Sequence, residues 1–131
     1  MTILTPNVHD QLRSWAAGIY TTEAATDLLI NARGGTFASP SQCWIRSSHD
    51  GFWIDFAGIQ DHLGAMSGGE QRLLRIAASL GCREVLVNLA DNITGLDRTT
   101  HRLVLAAISR AGGSHGRETL IMDQGRASTF Q

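Results

Sequence analysis

Lysine is absent. All 11 basic residues of the 131-residue chain are arginine, set against 12 acidic residues for a net charge of −1. A Walker-type phosphate loop needs a lysine to reach the β- and γ-phosphates. Schiff-base aldolases and pyridoxal-phosphate enzymes need a lysine amine. None of these chemistries has its residue here, although an arginine-only basic set is also what a GC-rich genome produces. Long apolar runs are missing too: none approaches the roughly 18 residues of a membrane span. The opening stretch, MTILTPNVHDQ, has neither a basic cluster nor a long apolar core, so no secretory signal is expected. Cysteine is scarce. Cys43 and Cys82 are far apart and belong to no C-x-x-C pair, which predicts two reduced thiols in a cytosolic protein. The nearly balanced charge argues against binding a polyanion by charge alone.

What is present describes a folded chain. A hydrophobic content of 43% argues against disorder. The length predicts a single domain spanning 1–131, in which about two-thirds of the extended chain's surface can be buried, enough for a core without disulfides or a structural metal. Residues 1–35 read as a helical part. Pro6 suits a first helical turn, and Val8, Leu12, Trp15 and Ile19 recur on one helical face. Thr21 or Thr22 is the expected cap of a second helix, with Glu23 near its positive end, and Gly34-Gly35 its left-handed stop.

After Pro40 the period shortens to two, opening an α/β part over 42–123. The runs CWIRS (43–47) and FWIDF (52–56) flank Ser48-His49-Asp50-Gly51 and predict a β-hairpin. Ser67-Gly68-Gly69-Glu70 forms a capping box at the start of a helix whose inward stripe is Leu73, Ile76, Ala77 and Leu80. EVLVNL (84–89) reads as a buried strand, Asp97 as the cap of a helix over 98–111, and ETLIM (118–122) as a last strand before a tail at 124–131. Two successive βαβ units are thus expected. The predicted class is α/β (or α+β), two N-terminal helices on a mixed sheet of about four strands.

The stretch from Met66 to Asp97, MSGGEQRLLRIAASLGCREVLVNLADNITGLD, resembles the second half of an ABC-type ATPase domain, in which a signature turn, a helix, the Walker B strand and a D-loop ending in Leu-Asp follow one another. Met66 to Glu70 fall on the signature and Gly95-Leu96-Asp97 on the D-loop, without a gap. The resemblance implies that Ser67 and Gly69 touch the terminal phosphate of a nucleotide held mainly by a partner subunit. It also implies a lost hydrolytic apparatus: the magnesium-holding aspartate falls on Ala90, the catalytic glutamate on Asp91, and no histidine follows 118–122. A looser likeness, through Gly64 to Glu70, is to small actinobacterial proteins and implies no function.

The sequence therefore favours a small non-catalytic interaction module without cofactor, metal or catalytic residues. Its anion- or partner-contact residues are Ser67, Gly68, Gly69, Glu70, Asp91 and Asp97. Its partner is another protein or a second copy of itself, with nucleotide contact only in trans, and with neither nucleic acid nor membrane. A free helix start offers an anion only about 0.3–1 kcal/mol, while micromolar nucleotide binding needs about 8 kcal/mol. Two other readings stand beside it. Asp97 and His101 lie one helical turn apart, and with Asp91 they are candidate ligands of a metal-dependent hydrolase or phosphate-ligand enzyme. Residues 8–33 carry the Gly-Thr-Glu-Ala-Ala pattern of a helix-turn-helix regulator, though a strand is expected where a recognition helix belongs.

Overall fold

A computed structural model describes residues 7–113. Helix α1 (Val8–Ala16) starts at Asn7, whose side chain accepts the Asp10 N–H at 2.8 Å. Pro6 lies outside the described residues. Gly18, at φ 103°, turns the chain into α2 (Tyr20–Asn31). Neither Thr21 nor Thr22 caps α2. It begins one residue before them, with Ile19 as a cap that makes no side-chain bond. Glu23 compensates from the first turn, its Oε2 accepting the Gly18 N–H at 2.8 Å. Helix α2 is the axis of the core: Ala24, Ala25, Thr26, Leu28, Leu29 and Ile30 are all buried, and α1 and two later helices, Gly68–Gly81 and Arg98–Ala111, pack around it. Arg33, Gly34 and Gly35, at φ 51°, 66° and 86°, stop it in the left-handed region as the double glycine predicts. A 3₁₀ segment (Ala32–Ala38) carries the chain on.

Strands β1 (Ile45–Ser48) and β2 (Gly51–Ile54) form the hairpin, paired antiparallel from Ile45↔Ile54 to Ser48↔Gly51 around a His49-Asp50 tip. Trp44 stands just before it, 1% exposed, its indole N–H donating to the Phe37 carbonyl at 2.8 Å. The second strand ends earlier than its apolar pattern. The side chain of Asp55 accepts the Gly58 N–H and starts a 3₁₀ turn (Phe56–His62), which delivers Phe56 and Ile59 to the core.

Within residues 7–113 the expected mixed sheet of about four strands does not form. Among the described residues the only sheet is this two-stranded hairpin, so the class is α+β and no βαβ unit is built. Residues 84–89 correct the strand expected there: Val85 is buried but Leu86 is 87% exposed, and Asn88 caps a short α4 (Leu89–Ile93), its side chain accepting the Asp91 N–H. A β-branched run needs a neighbouring strand to take its N–H and C=O groups. The hairpin that would supply one lies against α1 instead. The strand expected at 118–122 falls outside the described residues.

Helices α3 (Gly68–Gly81) and α5 (Arg98–Ala111) complete the core. Leu73, Leu74, Ile76, Ala77 and Ala78 are buried on α3, a wider band than the predicted stripe, and Leu80 is half-buried. On α5 the inward residues are Thr100, Val104 and Ala107. Gly81 is there for space: a Cβ would run into the Phe56 ring. Among the described residues, no helix is long and apolar enough to cross a membrane.

Candidate functional site

The Ser67 turn has the reciprocal geometry its sequence predicts. Ser67 Oγ accepts the Glu70 N–H at 3.2 Å, and Glu70 Oε1 accepts the Ser67 N–H at 3.1 Å. Ser67 and Gly68 are exposed; Gly69 and Glu70 are half-buried. At the start of α5, Asp97 Oδ1 accepts the Thr100 N–H at 2.7 Å. That bond, the Thr100 hydroxyl and the Arg33 guanidinium together hold the Asp97 carboxyl below its ordinary value, against a smaller opposing effect of burial.

These two helix starts, 30 residues apart in sequence (97 − 67), come together in space through two arginines. The Arg72 guanidinium lies against the backbone of both turns: a Cβ built on Gly68 would sit 3.3 Å from its Nη1, and one on Gly95 3.0 Å away. Gly95, at φ 81°, is held in a conformation that other residues rarely adopt. From the other side, Arg33 Nη2 is 3.6 Å from Asp97 Oδ2 and 3.8 Å from where a Gly69 Cβ would be. The positive ends of two 14-residue helices and two guanidinium groups therefore share one surface.

Other residues singled out in the sequence are placed differently. Asp91 is an exposed residue in the first turn of α4, where its N–H is taken by Asn88. His101 is exposed in α5. Among the described residues no three His, Cys, Asp or Glu side chains stand close enough to hold a metal ion, so Asp91, Asp97 and His101 are not gathered into such a set. Helix α2, the second helix of the candidate 8–33 unit, is packed against α3 and α5 rather than held out as a recognition helix. Arg13, at the end of α1, is tied to Asp27 at 3.1 Å. Both cysteines are free thiols; Cys82 Sγ donates to Glu84 at 3.4 Å.

Arg33 and Arg72 are functional candidates that sequence reasoning passes over. Arg72 falls on the outward side of its helix, where an arginine reads as solvated. The one local hint for Arg33 is the Gly-Gly pair after it, which marks a sharp reversal able to redirect its side chain. Comparison with protein-family models, with curated proteins and with solved structures yields no match to this chain.

Proposed function

We propose that this chain is a non-catalytic interaction module. Its contact surface is the ground between the starts of α3 and α5: Ser67, Gly68, Gly69, Glu70 and Asp97, with Arg33 and Arg72 between them and Asp91 on α4. The observation that carries the proposal is the seating of Arg72 against Gly68 and Gly95, which joins the two turns into one surface where two guanidiniums stand beside the Glu70 and Asp97 carboxylates. Such a surface suits an anionic group presented by a partner, since backbone N–H groups at helix starts and guanidinium forks both favour oxyanions. A partner that brings further contacts is needed. Two helix ends together supply only about 1–2 kcal/mol, against about 8 for a free ligand at micromolar affinity. The likeness of Met66 to Glu70 to an ABC signature turn suits the same role, a turn that completes a site held by another chain, although the strand which that likeness places at 84–89 does not form. Two of its carboxylates, Glu70 and Asp97, are engaged in capping, which favours binding over hydrolysis.

The test has two arms. The purified chain with magnesium-ATP is expected to release no inorganic phosphate and to show no change in Tm beyond about 1 °C. Phosphate release by the isolated chain overturns the proposal. In cells, cross-links from residues 67–70 and 95–97 to a partner are expected to vanish in Arg72→Glu while the variant stays folded; cross-links that persist unchanged count against this surface.

A further inference from the structure

A second surface lies away from the helix starts, where α1 faces the hairpin. Two cavities adjoin there, of about 330 and 430 Å³, and Trp15 and Trp53 wall both of them. Trp15 is 42% exposed, and neighbouring Ile19 is 60% exposed. The Trp15 indole is held by stacking on Phe56, with ring centroids 6.3 Å apart and planes 28° from parallel. Each cavity also has one carboxylate in its wall, Asp55 in the first and Asp50 in the second, and no arginine or histidine lines either one. Asp50 is at the hairpin tip, 87% exposed, with His49 Nε2 3.6 Å away.

The molecule already shows what chemistry this arrangement accepts. Outside the cavities, Arg46 places its guanidinium carbon 5.9 Å from the centre of the Trp53 ring, and its Nη1 is 4.0 Å from Asp55 Oδ2. Ring, guanidinium and carboxylate thus occur together on Trp53 and Asp55, and the second cavity sets Asp50 beside the same indoles with no arginine paired to it among the described residues. We propose that this Trp15–Trp53 groove is a docking site for an arginine-bearing peptide segment of a partner protein, the guanidinium lying over an indole face and donating to Asp50. Charge and shape both favour that occupant. An indole face attracts a cation through its quadrupole, and a guanidinium also stacks on it as a flat ion. An acidic segment would meet two carboxylates, and a wholly apolar one would strip water from them without giving hydrogen bonds in return.

The experiment follows intrinsic tryptophan fluorescence of the full chain, in which buried Trp44 serves as a constant background. Added probes are the capped peptides acetyl-Gly-Arg-Arg-Gly-amide, acetyl-Gly-Glu-Glu-Gly-amide and acetyl-Gly-Leu-Leu-Gly-amide. The arginine peptide is expected to give a saturable change that weakens as salt rises. Asp50→Asn is expected to raise its Kd about two- to five-fold, and Asp55→Asn, whose carboxylate already faces Arg46, to change it less. Asp55→Asn keeps an oxygen to accept the Gly58 N–H, and the Asp50 carboxylate lies at the exposed hairpin tip, so cooperative melting should persist. Trp15→Ala, at an exposed position, should weaken binding further. Equal or tighter binding of the glutamate or leucine peptide overturns the proposal. So does an unsaturated response to the arginine peptide, or an affinity indifferent to Asp50→Asn. Sedimentation showing that a second copy of the chain buries Trp15 also overturns it.

Discussion

Helix α2 buries six of its twelve residues among α1, α3 and α5. The segment between α3 and α4, residues 82–88, buries Val85 alone and leaves Leu86 almost wholly in water. Both stretches are short and rich in apolar side chains. The difference is one of company: α2 satisfies its own backbone and then receives helices on several sides, whereas an extended run can be buried only beside a strand that pairs with it. Apolar content therefore sets what a segment can contribute, and the availability of neighbours decides what it does contribute.

The contrast breaks most visibly at Leu29, which is fully buried on α2. Leu29→Ala is expected to cost about 2–5 kcal/mol in urea unfolding, from lost transfer energy and the cavity left behind. A cost below about 1 kcal/mol would mean that α2 is not the packed axis described above. Next comes Gly81, where α3 passes the Phe56 ring. Gly81→Ala should cost about 1–3 kcal/mol by overpacking, although alanine is the better helix former. A stabilised variant would show that the ring moves freely. Ser67→Ala should cost about 1 kcal/mol through loss of the α3 cap, and Glu70→Ala added to it should cost less than the separate losses summed, since the two groups serve each other. On the other side of the comparison, Leu86→Ser should stay within about 0.5 kcal/mol of the parent protein. A large loss there would reveal a hidden contact for the 82–88 segment.

The last effect is a pH dependence at the start of α5. Because the folded Asp97 carboxyl titrates below its unfolded counterpart, its contribution is complete above about pH 4. It disappears as pH falls through the lowered folded value. Asp97→Asn keeps an oxygen to accept from Thr100 but removes the titration. The acid side of its stability curve should therefore be flatter than that of the parent protein, as read by unfolding at successively lower pH.

Features decided within a few residues could be read from the chain. The Ser67–Glu70 box, the Asp97 cap, the left-handed stop at Gly34-Gly35 and the hairpin around His49-Asp50 depend on a side chain and a backbone group less than a turn apart. Features requiring a distant partner could not. Nothing near 84–89 says that no strand will come to pair with it, and nothing near Arg72 says that Gly95 will fold over its guanidinium. Thr21 and Thr22 fail as caps for a subtler reason: Glu23 reaches back to Gly18 and starts the helix earlier. The six residues proposed from the sequence as a contact surface include both helix caps brought together here, but the two arginines between them are visible only in three dimensions.

Arg110, near the end of α5, grips Glu23 and Asp27 on α2, at 3.3 and 2.6 Å, across more than eighty positions of chain. Synthesis from the amino terminus makes α5 after all its described neighbours, so a ribosome that stalls before Arg98 releases a polypeptide whose central helix has one greasy flank uncovered. Such a fragment would be prey for chaperones and proteases or would clump with its siblings, so α5 must leave the exit tunnel before the core around α2 can close.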